Sequence, residues 1–395
     1  MNLVDKFKSY LERAVDANKY ALGYPVNREH AFKIDLSLLG ILDNSLATTY
    51  LNNIASPYSH GKYTSDNLKE LEVELIKNLA NHFNLSEDES FGYVTYGGTE
   101  ANFASLWWHR NFLEKQTGVR PIVMTSSRSH YWVKKAADQL GMELVTIDAD
   151  YSGIHYEHIE NIITYINQPI IFSANFGATT DGSIDDIFRI HSILSKRSIP
   201  FKIHGDGAIY GPVIPYLKQY KLINCIFDYI DTLVFSGHKL LGSYSICGVV
   251  LTKRSYIKQV FNEESKKISF LDVIDITVSG SRQGFFVAEL YLLVSEALSI
   301  ENNQTKLQIL WTKCVEVAEW FYNELSNIIP QSHIHYNQGQ LSIILPAPSK
   351  QSNKDFLGKK YGLMSIDDDK FGIYIFPRST KTKLNMFIDD YRKLI

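Results

Sequence analysis

The sequence predicts an α/β protein: a large domain on a mostly parallel sheet with helices on both faces, then a smaller α+β domain. Short apolar runs alternate with amphipathic helical stretches from Gly92 to about Leu290, which is the pattern of a parallel sheet with helical crossovers. After Leu290 the pattern changes to long helical stretches and only two short apolar runs. At 395 residues, 45% hydrophobic and 21% charged with 11 prolines, the chain has the length of two or three domains and a globular composition, which excludes a disordered or fibrous protein.

At the start, Leu3, Phe7, Tyr10, Leu11 and Val15 recur at helical spacing, so an amphipathic helix is expected that needs a surface for its apolar stripe, a partner subunit being one such surface. Leu22 to His60, rich in Gly, Pro, Asn and Ser, reads as an irregular arm entering a helix around Ser65 to Phe83. Strands are expected at Ile122 to Met124, Leu144 to Ile147, Ile170 to Ser173, Phe201 to Ile203, Thr232 to Phe235 and Gly248 to Leu251. The helices among them cover Glu100 to Lys115, His130 to Leu140 and Ile187 to Lys196. Helices over Val287 to Leu298 and Leu307 to Ile329, strands at Leu341 to Leu345 and Gly372 to Phe376, and a helix over Lys383 to Ile395 complete the chain. With no repeat or low-complexity tract, the expected division is an N-terminal helix and arm (1–60), a large domain (61–290) and a small one (291–395).

Forty basic against forty-three acidic side chains leave a net charge of −3, too little positive field for sequence-independent binding to nucleic-acid phosphates. Cys225, Cys247 and Cys314 lie far apart with no Cys-x-x-Cys pair, so neither a disulfide framework nor a thiolate zinc site is expected, and a reducing compartment fits. Asp5, Lys6, Lys8, Glu12 and Arg13 interrupt the apolar residues of the first twenty positions, unlike a secretory signal. The apolar stretch Leu222 to Phe235 is broken by Asp228 and Asp231 well short of a membrane span. A cytoplasmic protein without nucleic-acid or membrane partners is therefore expected. His155 and His158, separated by a two-residue gap and with no third ligand assigned, read as a solvated helix face, and no metal is expected.

Ligands of parallel sheets sit at the carboxyl ends of strands, and four such places carry polar groups. Thr95-Tyr96-Gly97-Gly98-Thr99-Glu100-Ala101-Asn102 opens a helix whose free amides could hold a phosphate, or could be ordinary turn and cap chemistry. Ser129-His130-Tyr131 puts an imidazole at another helix start, where a plain cap is the simpler reading. Phe201 to Ala208 runs an apolar strand into Asp206, a carboxylate that needs a cationic or hydrogen-bonding partner unless it is solvated. Thr232 to Phe235 delivers Ser236-Gly237-His238-Lys239 to the same rim, with a solvated lysine as the alternative. One ligand would use all four: pyridoxal phosphate, with its phosphate, an aromatic face for His130, a ring nitrogen for Asp206 and an aldehyde for Lys239.

These segments also resemble the pyridoxal-phosphate-dependent group II amino-acid decarboxylases, in particular their histidine and plant serine decarboxylase branch. The matching runs, in order, are Gly23-Tyr24-Pro25-Val26-Asn27, Gly97-Gly98-Thr99-Glu100-x-Asn102, Ser129-His130-Tyr131, Gly182-Ser183-Ile184-Asp185-Asp186-Ile187, His204-x-Asp206-Gly207-Ala208, Ser236-Gly237-His238-Lys239 and Val278-Ser279-Gly280-Ser281-Arg282. The resemblance implies a fold-type I transferase-like architecture, a lyase of amino-acid metabolism, and a homodimer with its site at the subunit interface. It implies that Lys239 carries the cofactor, Asp206 pairs with the ring nitrogen, His130 stacks on one ring face and Ala208 packs the other. Gly98, Thr99, Ser236 and His238 would line the phosphate cup and Thr179 the ring's hydroxyl edge. Tyr24, Pro25, Asn27 and Arg282 would border the substrate, with histidine the favoured amino acid and serine next.

The chain also departs from this pattern. Ala101 precedes Asn102 where relatives tend to have glycine, Ala178 stands where a threonine is usual, and Ser243-Tyr244-Ser245 follows the lysine segment in place of a proline-containing run. Trp132 replaces a small residue after His130-Tyr131, its bulk able to reshape the substrate cavity. Alignment puts Phe270 where relatives place a tyrosine that protonates the carbon left by carbon dioxide, and phenylalanine has no proton to give. An oxygen-consuming reaction that releases an aldehyde is therefore an alternative, as is a silent cofactor-binding protein, unless Tyr244 or another group donates.

Overall fold

The structure, a computed structural model, describes residues 19–23, 32, 51–59, 61, 67–220, 223–261, 267–269 and 271–395. The N-terminal helix expected over Leu3 to Val15 and most of the arm lie outside these residues. The described chain divides into two units. One gathers residues up to Gly23 with Thr180–Gly182 and Leu310–Ile395, and the other holds most of the chain up to Ile309.

The larger unit is built on a seven-stranded sheet. Its strands are β1 (Ser90–Thr95), β2 (Ile122–Ser126), β3 (Leu144–Ile147), β6 (Ile170–Asn175), β7 (Phe201–Asp206), β8 (Thr232–Ser236) and β9 (Gly248–Lys253), in the order β1-β9-β8-β7-β6-β2-β3. Between β3 and β6 lies a small hairpin, β4 (Ala149–Asp150) with β5 (Gly153–Ile154). Every pair from β8 to β3 is parallel, and only β9 runs against both neighbours. The six expected strands are present, and β1 adds a seventh that the sequence reading passed over. The antiparallel course of β9 has a local cause. The turn after Lys239 brings the chain straight back beside β8, without the helical crossover that a parallel strand needs. Two further ribbons, β10–β11 (Lys267–Ile268 with Val273–Ile274) and β12–β13 (Ile300–Glu301 with Gln304–Thr305), lie outside the sheet.

Strands β6 and β8 are buried along their whole length, because helices cover the sheet. The helix Gly98–Thr117 places Ala101, Ala104 and Trp108 against Tyr93, Val234 and Val250, and its Leu106 and Leu113 against Val123 and Ile171. Helix Ile187–Ser195 buries Ile187, Ile190, Ile193 and Leu194, the spacing of one helical face. Its start is set by Asp186, whose carboxylate accepts the Phe188 and Arg189 N–H groups at 3.0 and 3.1 Å, a cap worth about 1 kcal/mol.

The smaller unit has its own four-stranded antiparallel sheet in the order β14-β15-β17-β16: His335–Tyr336, Ser342–Pro346, Lys370–Tyr374 and Met364–Ile366. Its core joins Ala318, Phe321 and Leu325 with Ile343, Leu345, Ile373, Leu384 and Phe387, and Leu22 is part of it through its carbonyl, which accepts the Tyr374 N–H at 3.0 Å. The helix Gln351–Tyr361 was not expected. It is lysine-rich and buries only Leu357 and Tyr361, so it carries too little apolar periodicity to read.

Candidate active site

The carboxyl ends of β1, β2, β6, β7 and β8 border one cavity of about 260 Å³. Gly98 and Thr99 reach it from the helix that follows β1, His130 from the turn after β2, and Thr179 from the loop after β6. Asp206 ends β7 with Ala208 just beyond, and Ser236 ends β8 with His238 and Lys239 just beyond; all of these line the same wall. Nine residues drawn from five separate places in the sequence thus share one space.

One end of the cavity is a helix start. Helix Gly98–Thr117 has Gly97 as its N-cap and no capping side chain, so its first amides lack intrahelical partners and face the cavity rim. The loop before it closes on itself: Glu100 accepts the Tyr96 N–H at 2.9 Å, and Thr95 Oγ1 donates to the Gly97 carbonyl at 2.9 Å. Gly98 must lack a side chain, because a Cβ there would stand 2.6 Å from Ser236 Oγ. Gly248 of β9 pairs with Thr95 on one side and Ser236 on the other, and a Cβ on it would lie 2.7 Å from the Gly97 carbonyl carbon. One residue of β9 therefore ties the helix-start loop to the lysine-bearing strand.

At the opposite end, Asp206 is 7% exposed. Its Oδ1 accepts the Ala208 N–H at 3.1 Å and its Oδ2 accepts the Trp132 indole N–H at 2.5 Å. Loss of solvent lowers the Lys239 pKa, opposed by the charge of Asp206. Loss of solvent also lowers that of His130; Asp206 opposes this and Lys239 adds to it. A neutral His130 agrees with its Nδ1 accepting the Trp132 backbone N–H at 3.3 Å. The turn that carries His130 is braced by Asn175, whose amide donates to Ser129 Oγ and to Asp185 Oδ2, both at 2.9 Å. Behind Lys239, the buried Glu289 accepts from Ser243 Oγ at 2.8 Å and from the Tyr244 N–H, and so holds the returning loop.

Pyridoxal phosphate fits this wall on the structure's own terms. An uncapped helix start with room only for glycine suits a phosphate, an anchored carboxylate suits a protonated ring nitrogen, and a desolvated amine suits an aldehyde.

Below the cavity runs a buried polar chain that sequence reasoning missed. Asn102 meets His204 Nε2 at 2.9 Å, Thr232 Oγ1 lies 2.9 Å from both His204 Nδ1 and His109 Nε2, and His109 Nδ1 meets Tyr256 at 2.6 Å. Burial pushes the His204 pKa down from 6.5 to about 4, with Asp206 opposing. The unfolded chain then binds a proton that the fold does not between pH 6.5 and about 4, so stability is full above that window and falls through it on acidification. The expected loss is about 3 kcal/mol from this group. Urea unfolding at pH 4 to 8 should show a shallower slope for His204→Gln, and not a flat one, because burial also lowers His109.

Arg282, expected near the substrate, is not in the wall of this cavity; its guanidinium is buried against Glu72, with further bonds to the Val94 carbonyl at 3.0 Å and the Ala55 carbonyl at 2.8 Å. It locks the segment before helix Gly284–Leu298 onto β1. Arg282→Ala leaves Glu72 charged and buried, and should cost about 3–5 kcal/mol, read as a fall in the midpoint of denaturant unfolding. Tyr24, Pro25, Asn27 and Phe270 lie outside the described residues. His155 and His158 do gain a third neighbour, Glu157, with ligand atoms within 4.8 Å of one another; the two imidazoles pair with Asp150 and Asp148 at 3.2 and 3.1 Å. Among the described residues no helix is long and apolar enough to cross a membrane.

Comparison with known proteins agrees with this geometry. The family model described as the pyridoxal-dependent decarboxylase conserved domain matches residues 33–339. A histidine decarboxylase of Solanum lycopersicum is 32% identical over 321 residues, covering 80% of this chain and 72% of the relative. Serine decarboxylase 2 of Oryza sativa subsp. japonica is 31% identical over 279 residues, 70% of this chain and 56% of that one. In fold, the chain is similar to L-methionine decarboxylase from Streptomyces sp.590, with a TM-score of 0.79 at 18% identity over 99% of this chain and 94% of the other.

Proposed function

The chain belongs to the pyridoxal-dependent decarboxylase family and is a pyridoxal-phosphate-dependent amino-acid decarboxylase; from that premise we propose that it converts histidine to its amine and carbon dioxide in the cavity of Lys239 and Asp206. The observation that carries this reading is the convergence of that amine and that carboxylate, 33 positions apart (239 − 206), on one cavity. Histidine is favoured by the tomato relative, with serine next from the rice relative.

When bound, pyridoxal phosphate supplies an electron-accepting ring for the charge left on the α-carbon as carbon dioxide departs. The amides of Gly98 and Thr99, with Ser236 and His238, would bind the phosphate. Burial lowers the Lys239 pKa, which favours the amine form that an aldehyde would take. Asp206 would hold the proton at the ring nitrogen, with His130 and Ala208 lining the two ring faces and Thr179 its hydroxyl edge. Tyr131 and Ile246 stand on the rim of the cavity and are 71% and 66% exposed, which supports a homodimer that covers this rim with a second copy.

The test is to incubate the cofactor-loaded protein with each of the twenty amino acids, following carbon dioxide, amine and peroxide together. Carbon dioxide and histamine in equal amounts from histidine are expected. Phe270 supports a second reading, in which oxygen is consumed, and aldehyde with peroxide would replace the amine in its favour. Cofactor binding with no product from any amino acid would overturn both.

A further inference from the structure

We propose that Trp132 is a positioning residue for the ring-nitrogen end of the site: its indole N–H fixes the orientation of the Asp206 carboxylate. The inference rests on the reading that Asp206 faces the cofactor's ring nitrogen.

Trp132 opens the helix Trp132–Gln139, is 2% exposed and lines the cavity. Its Nε1 donates to Asp206 Oδ2 at 2.5 Å while the Ala208 amide holds Oδ1 at 3.1 Å, so both oxygens are gripped and the carboxylate plane is set. A hydrogen bond donated to a carboxylate favours its charged form, and more so where water is scarce. The donor type matters as much as the distance. An indole N–H donates and accepts nothing, so Trp132 cannot draw off the proton that Asp206 shares with a ring nitrogen, as an imidazole or a second carboxylate could. The indole is itself held in place: His204 stands edge-on to it, ring centroids 5.6 Å apart at 88°, and His204 is fastened by Asn102 and Thr232. Trp132 thus links the buried polar chain to the carboxylate. Its bulk lines the cavity, where the sequence expected it to shape the space, and its N–H serves Asp206 as well.

The test compares wild type with Trp132→Phe and with the nitrogen-free isostere benzothienylalanine placed at position 132, which keeps the shape and removes only the donor. Each holoprotein is loaded with pyridoxal phosphate labelled with ¹⁵N in the ring. Wild type is expected to show a protonated ring nitrogen. Both variants should move that resonance toward the unprotonated position and lower kcat about 10- to 100-fold, the worth of one hydrogen bond to a charged group, while KM changes little. An unchanged resonance and kcat in the benzothienylalanine protein overturn the inference, even if Trp132→Phe is impaired, because the role would then be volume alone. A wild-type protein whose cofactor is not held by Lys239 overturns instead the reading of the site on which the inference depends.

Discussion

Lys239→Ala is expected to abolish the visible absorbance of the bound cofactor and to lower kcat by at least about three decades, or ~4 kcal/mol of barrier. Lys239 is the cavity-wall residue that sequence and family resemblance both assign to holding the cofactor aldehyde, and burial lowers its pKa toward the reactive amine. The loss should not come from unfolding. Removing a desolvated amine takes away a group whose charging the fold opposes, so the denaturation midpoint should hold or rise. Spectrum and unfolding are measured on the same sample, and a Lys239→Ala protein that keeps both its absorbance and its turnover would remove the lysine from the chemistry.

Asp206→Ala should have the next largest effect, a fall in kcat of about a thousandfold, because the charge opposite the ring nitrogen disappears. This variant also pays in stability, about 1–3 kcal/mol, since it strands the buried Trp132 indole N–H and the Ala208 amide without acceptors. Asp206→Asn separates the two losses. The amide oxygen can still accept from the indole, so stability should return most of the way while kcat stays low. Recovery of kcat in Asp206→Asn would show that a charge at this position is not required.

Much of the larger unit was legible because its strands are continuous apolar runs and its polar groups follow them directly. Asp206 after Ile203 and Lys239 after Phe235 could be read as strand-end groups before any contact was known. What stayed hidden depends on distance along the chain. Trp132 and Asp206 are 74 residues apart, so the sequence shows an oversized side chain but not the carboxylate it serves. Arg282 and Glu72 are 210 apart, so the sequence shows the arginine but not the buried carboxylate it meets. The direction of β9 was hidden for another reason: a fully buried run such as Gly248 to Leu251 carries no mark of which way it lies beside its neighbours. In the smaller unit, β14 is a two-residue strand and β16 a three-residue one, too short to show a period of two.

The double pairing of Gly248 also sets a timetable. Thr95 and its lateral partner are separated by 153 positions (248 − 95), so during synthesis the anion-binding limb waits for the strand that braces it. At about 5–20 residues per second the wait is roughly ten to thirty seconds, during which β1 is an unpaired apolar edge. A nascent chain can therefore assemble the strands that carry Asp206 and Lys239 before the strand bearing the anion-binding limb has a neighbour, and a chain cut short before residue 248 lacks that join.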